Sequence, residues 1–288
     1  MNGMGLSIIV PAYNEAGSIG PVLDSIQRTM EGARLEYELL VIDDGSLDHT
    51  ADVAEAGGYR VLRHPENRGY GAALKTGIRH ATYDLIAITD ADGTYPNERL
   101  PELVRLAVEG EYDMVVGART GDQVHIPLIR RPAKWALNRL ANHLARTQIP
   151  DLNSGLRVFR KDVAEEFRRF LPSTFSFTTT LTLALLTNDY SVHYVPISYH
   201  KRVGSSKINP IKDTLNILGL IVRTVMYFAP LRVLLPVSGT LLLLALAVLV
   251  LSALLTPKVM DVTVIVITMA ALQIAVVALV ADLIEKRH

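Results

Sequence analysis

The sequence predicts an α/β domain, a mostly parallel sheet with helices on both faces, followed by a helical membrane anchor. Three observations predict it. Short apolar runs alternate with helix-like segments through the first two hundred residues, as strands joined by crossover helices do. The acidic and glycine-rich clusters fall directly after the apolar runs, at the strand ends where such sheets place ligands. The apolar excess of the 288-residue chain, 49% hydrophobic residues and a mean hydropathy of +0.25, is concentrated toward its end.

Taken in order, Leu6–Val10, Glu38–Ile42, Tyr59–Leu62, Leu85–Thr89 and Met114–Gly117 read as strands. Each is a short apolar run bounded by polar or turn residues. Segments near Ile19–Met30, Asp48–Ala56, Gly69–His80 and Glu98–Glu109 carry a helical period. Further on, Leu234–Leu255 and Val262–Ala281 hold no charged residue. Each has about 20 residues, the length that crosses a hydrocarbon core of roughly 30 Å. The short link Thr256–Asp261 makes the two helices antiparallel. Arg223 and Arg232 precede the pair and Lys286 and Arg287 follow it, whereas the link offers Lys258 beside Asp261. The positive-inside rule then puts both ends in the cytoplasm of a prokaryotic plasma membrane. Pro210 to Val233 mixes Lys212, Arg223 and Arg232 with apolar residues and reads as one or two helices lying on the bilayer. The expected organisation is a catalytic domain over 1–208, a juxtamembrane part over 209–232 and a hairpin over 233–288.

Composition excludes several chemistries. Lys plus Arg and Asp plus Glu both number 29, so no overall field favours nucleic acid. The absence of cysteine removes disulfides, thiolate metal sites and a cysteine nucleophile. The amino-terminal residues lack the basic stretch and apolar core of a secretion signal, so the first domain is expected to stay cytoplasmic.

The chemistry lies in loops after strands. Pro11-Ala12-Tyr13-Asn14-Glu15 opens with a turn-forming proline, an aromatic ring that can stack and an acid that can accept from hydroxyls. Asp43-Asp44-Gly45-Ser46, with Asp48 behind it, offers an acid for a base N–H or a ribose hydroxyl, or a capped turn. Asn67-Arg68-Gly69-Tyr70-Gly71 precedes a helix bearing Lys75; its glycines either admit an anion or line an ordinary surface loop. Asp90-Ala91-Asp92 follows the fourth strand. Two carboxylates at that spacing repel unless a cation joins them, and oxygen ligands suit Mg²⁺ or Mn²⁺. The alternative is a helix cap.

In order and each after a strand, Pro11-Ala12-Tyr13-Asn14-Glu15, Asp43-Asp44-Gly45-Ser46 and Asp90-Ala91-Asp92-Gly93 resemble the motifs of family 2 glycosyltransferases with the GT-A fold. The likeness covers roughly residues 4–207. It implies that Pro11, Tyr13, Glu15 and Asp43 or Asp44 hold the nucleoside of a nucleotide-sugar. It also implies that Asp90 and Asp92, with Ala91 between them, hold the metal on the donor diphosphate.

Gly117-Ala118-Arg119, Asp151-Leu152-Asn153-Ser154-Gly155 and Arg202-Val203-Gly204-Ser205-Ser206-Lys207 are similar to segments of the dolichol-phosphate mannosyltransferase branch and its bacterial polyprenyl-phosphate relatives. The spacing from Arg202 to Lys207 is one residue shorter than in that branch. The likeness implies Arg119, Arg130 or Arg131, Arg202 and Lys207 as phosphate-binding cations, with Asp151 orienting the acceptor. Two phosphate-bearing substrates and one divalent cation call for that many positive charges.

The implied reaction is inverting transfer of a sugar from a UDP- or GDP-linked donor to a polyprenyl monophosphate. A membrane-anchored transferase acting on a glycan or lipid hydroxyl is the alternative within the family. The Gln-x-x-Arg-Trp motif of the processive synthases is absent, since the only tryptophan, Trp135, follows Lys134. A non-catalytic membrane scaffold is the alternative of another class. Self-association through small residues such as Gly239 and Ala245 is a further expectation.

Overall fold

The computed structural model describes residues 5–120, 139, 141–142, 147–199, 210–255 and 261–285. A seven-stranded sheet has the order β3-β2-β1-β4-β6-β5-β7. Its strands are β1 (Leu6–Ala12), β2 (Tyr37–Asp43), β3 (Arg60–Arg63), β4 (Leu85–Ile88), β5 (Met114–Ala118), β6 (Arg157–Arg160) and β7 (Val192–Pro196). All neighbours run parallel except β6, which is antiparallel to both β4 and β5. The chain builds β1, β2 and β3 outward and then returns to place β4 on the other side of β1. That reversal opens a crevice at the carboxyl ends of β1 and β4.

Helices cover both faces, as the alternating pattern predicts. On one side α1 (Ile19–Ala33), α2 (Thr50–Ala56) and α4 (Leu100–Glu109) bury Ile19, Leu23, Ile26, Ala54, Leu100 and Leu103 against Ile8 and Val10 of β1. On the other, α3 (Tyr70–His80), α5 (Lys161–Glu166) and α6 (Phe177–Thr187) pack Leu74, Ile78, Val163, Phe177 and Leu181 against Ile9, Ile42, Ile86 and Phe159. The central strands are buried on both faces, which is why they read as apolar runs rather than alternating ones. The five expected strands are all present, within two residues at each end. The expected helix over 98–109 is a 3₁₀ turn, Asn97–Arg99, that leads into α4. Proline is the reason, since Pro101 is favoured in the first turn of a helix and not deeper. The strands β6 and β7 carry no such expectation; Arg157 and His193 break their apolar character.

Pro11 does not start a turn. The strand β1 continues through Pro11 and Ala12, paired with Ile42 and Asp43 of β2. On its other edge the ladder to β4 ends with the Thr89 N–H on the Ile9 carbonyl. The next donor on that edge would be Pro11, which has no N–H.

The juxtamembrane stretch is one helix, α7 (Pro210–Phe228). Its Ile221 and Val225 are buried with Leu152, Leu183 and Ala229 against the α/β domain, while Leu218, Met226 and Tyr227 stay exposed. Then come α8 (Pro230–Leu255) and α9 (Asp261–Glu285), both long and apolar enough to cross a membrane and mostly exposed. Ser238, Ala245 and Ser252 of α8 are buried at seven-residue spacing, as are Ala271 and Ala278 of α9, and the Ser238 hydroxyl donates to the Ala271 carbonyl at 2.8 Å. Small residues let the two backbones approach. Ala245 therefore belongs to the hairpin's own seam, and a Cβ added at Gly239 would meet open space.

Candidate active site

The carboxyl ends of β2, β1 and β4 lie side by side, so the three amino-terminal motifs converge. The β1 loop is tied to the β2 loop backbone to side chain. Asn14 N–H donates to Ser46 Oγ at 3.0 Å, Glu15 N–H to Thr50 Oγ1 at 2.8 Å and Ala16 N–H to Asp48 Oδ2 at 3.2 Å. Asn14 has φ of 55°, and its side-chain oxygen accepts from the Leu47 N–H. Asp48 thus organises the loop. Burial pushes its pKa up, but hydrogen bonds from Thr50 and Ala16 outweigh that and leave it below the usual value. Glu15 accepts from Ser18 Oγ at the entry to α1, and Tyr13 stands exposed at the mouth.

Asp43 and Asp44 have different surroundings although both are buried. Asp44 is occupied by the protein: one oxygen faces His64 Nδ1 at 2.7 Å and takes the Arg68 N–H, and the other takes the Gly69 N–H at 2.8 Å. Asp43 receives the Ser46 N–H at 3.4 Å on Oδ2, while its Oδ1 is buried with no hydrogen-bond partner among the described residues. An unpaired buried acceptor is costly, so it marks where a ligand donor fits.

Gly69, ahead of α3, and Gly71, in its first turn, are required by the packing of the chain. A side chain at Gly69 or Gly71 would collide with the backbone of residues 172–173, and the Ser173 carbonyl takes the Ala72 N–H at 3.2 Å. Lys75 is half-buried; burial, then the nearby Arg168, lowers its pKa.

Asp90 and Asp92 lie two and four residues past the end of β4, not on the strand itself. Neither caps a helix. Asp92 Oδ1 accepts from the Thr94 N–H at 3.1 Å and hydroxyl at 2.6 Å, closing its own turn. Asp90 Oδ1 accepts from the Tyr70 hydroxyl at 3.0 Å. Gly155 lies against Asp90 so closely that a Cβ there would stand 2.8 Å from Oδ2. Among the described residues no group of three or more acidic or histidine side chains surrounds a metal position. Two carboxylates completed by phosphate oxygens and water fit the way Mg²⁺ and Mn²⁺ are held on diphosphates. The donor set fits the expected cation.

The segment 151–155 joins this loop to the end of β5. The Gly155 N–H donates to the Tyr95 hydroxyl at 2.6 Å, and Ser154 Oγ donates to the Gly117 carbonyl at 2.6 Å. Arg119 forks onto Asp151 through Nε and Nη2 at 2.7 and 2.9 Å, reaches Asn153 at 2.7 Å, and lies 5.2 Å over the Tyr199 ring. Burial alone would raise the Asp151 carboxyl, but the Arg119 guanidinium overrides it and holds the pKa below the usual range. Asp151 is therefore a fixed anion. Arg130, Arg131, Arg202 and Lys207 lie outside the described residues.

Four participants were not assigned roles from sequence. Tyr70 and Tyr95 bond the Asp90 loop and its neighbour, Gly155 makes room for Asp90, and Arg157 anchors the Ser154 carbonyl from behind. For Arg157 the sequence carries a signal, an arginine in a short run whose neighbours Leu156, Val158 and Phe159 are all apolar.

Residues 7–168 match the family described as glycosyl transferase family 2. Among similar proteins, a dolichyl-phosphate hexose transferase of Haloferax volcanii is 32% identical over 71% of this chain and 87% of its own length. An undecaprenyl-phosphate 4-deoxy-4-formamido-L-arabinose transferase of Klebsiella pneumoniae is 36% identical over 56% of this chain, which spans about half (50%) of that protein. Among solved structures, glucosyl-3-phosphoglycerate synthase from Mycobacterium tuberculosis in complex with Mn²⁺, UDP and glucosyl-3-phosphoglycerate aligns with a TM-score of 0.57 and 24% identity, covering 80% of each chain. That likeness establishes the GT-A fold.

Proposed function

The chain belongs to glycosyl transferase family 2, and from that premise we propose that it transfers a sugar from a nucleotide-sugar to a polyprenyl monophosphate at the cytoplasmic face of a prokaryotic membrane. The observation that carries the reading is the junction at Gly155, where the Asp90 loop meets the segment holding the Arg119–Asp151 pair. One side of the junction carries acids suited to a metal-bound diphosphate, the other a guanidinium suited to a phosphate. The similarity to two polyprenyl-phosphate transferases and the apolar helix pair support a lipid-borne acceptor.

In this reading Asp43 Oδ1 accepts from the nucleoside and Tyr13 stacks on it, with Glu15 and the Asp44-braced loop shaping the same pocket. Asp90 and Asp92 would hold Mg²⁺ or Mn²⁺, which supplies positive charge to the diphosphate as it leaves. Tyr70 and Thr94 keep those two carboxylates in place. The acceptor phosphate is already anionic at neutral pH, so a general base is less needed than for a hydroxyl acceptor. That agrees with Asp151, whose lowered pKa makes it a poor base and a good anchor for Arg119. Arg130 or Arg131, Arg202 and Lys207 complete the proposed phosphate-binding set.

The test supplies purified full-length protein with radiolabelled UDP- and GDP-sugars, polyprenyl phosphate and Mg²⁺. Label in the lipid fraction is expected from one donor class. Label that enters only a soluble glycan or a lipid hydroxyl would overturn the acceptor assignment. Asp92→Ala is expected to abolish transfer, and activity that survives and still ignores chelator would remove the metal role.

A further inference from the structure

Residues 167–176 link α5 to α6 and run from the foot of the helix pair to the candidate site. At one end the Phe170 ring lies 4.4 Å from Tyr227 and 5.5 Å from Phe228, the last two residues of α7. Tyr227 precedes the uncharged run at Leu234 by seven residues, across the break between α7 and α8 at Ala229. At the other end Phe175, 81% exposed, stacks on Tyr70 at 5.3 Å. Between them Ser173 holds the Ala72 N–H at the start of α3. Tyr70 in turn donates to Asp90.

The surface of this segment is both aromatic and basic. Arg168 and Arg169 are exposed beside Phe170, with Lys75 near Arg168 and Arg223 exposed on α7. Glu165 pairs with Arg168 at 3.0 Å and leaves the local balance positive. Exposed Met226 and Tyr227 continue the apolar stripe onto α7. Aromatic rings with adjacent arginines are the composition that settles at the boundary between headgroups and acyl chains.

We propose that residues 168–175 are a second bilayer contact of the catalytic domain, seated in the headgroup layer of the membrane that carries α8 and α9. Phe170 and Phe175 enter the boundary region, and Arg168 and Arg169 meet lipid phosphates. Seating the segment braces Tyr70 and through it the Asp90 carboxylate, so the bilayer supports the metal site as well as the acceptor. The inference rests on the membrane reading above, and its test separates the two.

Full-length protein in the Trp135→Phe background receives either Phe175→Trp or Leu243→Trp, the latter on the exposed face of α8. Both are reconstituted in phosphatidylcholine–phosphatidylglycerol vesicles with and without lipids brominated either near the headgroup end or near the middle of the acyl chain. Both variants are expected to lose fluorescence to the brominated lipid, and the emission of Phe175→Trp to shift to the blue relative to detergent. Quenching at 243 with none at 175 overturns the proposal and leaves the membrane reading standing. Quenching at neither overturns both. If Phe175→Trp does not fold, Phe170→Trp carries the same comparison. The coupling is read separately: Phe175→Ser is expected to raise the KM for Mg²⁺ in vesicles and to leave it unchanged in detergent. An equal effect in both, or none in either, would show that the segment does not pass the bilayer's support to Asp90.

Discussion

Two arginines, Arg119 half-buried and Arg157 fully buried, flank the segment 151–155 and are neutralised in opposite ways. Arg119, at the end of β5, lies against a carboxylate, with Asp151 taking Nε, Nη2 and the backbone N–H. Arg157, on β6, is fully buried, yet among the described residues no carboxylate pairs with it. Its Nε and Nη2 both donate to the Ser154 carbonyl, and Nη1 donates to the Thr178 carbonyl at 3.1 Å and Thr182 Oγ1 at 2.9 Å. Burial pushes its pKa down. The difference teaches where the charge is meant to act. A guanidinium forked onto a carboxylate is held in place at the mouth, where the proposed acceptor phosphate would meet its field. A guanidinium wrapped in carbonyls ties α6 to the segment that abuts Asp90 and keeps a positive charge behind the proposed anion site.

That contrast can be broken most sharply at Arg119. Arg119→Ala leaves Asp151 buried without its cation, and a loss of about 3–5 kcal/mol is expected, read as a lowered Tm together with loss of transfer. Arg157→Met removes the donors and strands only carbonyls, so about 2 kcal/mol is expected. Its signature is a raised KM for Mg²⁺ as Gly155 loosens beside Asp90. A larger loss for Arg157→Met than for Arg119→Ala would mean that Arg157 answers to an anion in the folded protein, and the contrast would fall.

Acid separates the two arginines further. The folded pKa of Asp151 is depressed, so the stability from its pair with Arg119 is complete above the unfolded value of about 3.9 and is lost as pH falls through the folded one. The Tm gap between wild type and Asp151→Asn should stay constant from pH 7 to 5 and close only below about pH 4. The gap for Arg157→Met should not follow that course. A gap for Asp151→Asn that closed already between pH 7 and 5 would contradict the pairing. The smallest effect is expected from Tyr70→Phe, about 1 kcal/mol for one hydrogen bond. It should raise the Mg²⁺ requirement more than it lowers Tm.

Much of this was legible in the chain. Asp43, Asp90 and Asp92 follow apolar runs, and a parallel sheet brings such ends together whatever the loops do. The helix pair was legible for the same kind of reason, since an uncharged run of that length has few other places to go. Roles within a motif were not legible. Nothing in Asp43-Asp44 says which acid is spent on His64 and the 68–69 backbone and which keeps an unpartnered oxygen. The sequence does not say that the glycines at 69 and 71 lie against the backbone of residues 172–173, since that contact exists only in the fold.

By itself the sequence determined the α/β class, the order of strand-end motifs, the acidic pair suited to a divalent cation and the apolar helix pair. These depend on local periodicity and spacing, which neighbouring residues carry. Only the tertiary structure decided that Asp151 is a fixed partner of Arg119, that Gly155 makes space for Asp90, and that Arg157 lies behind them wrapped in carbonyls. Those facts join residues from dozens of positions apart. No local pattern encodes such a contact, because it exists only once the sheet has folded.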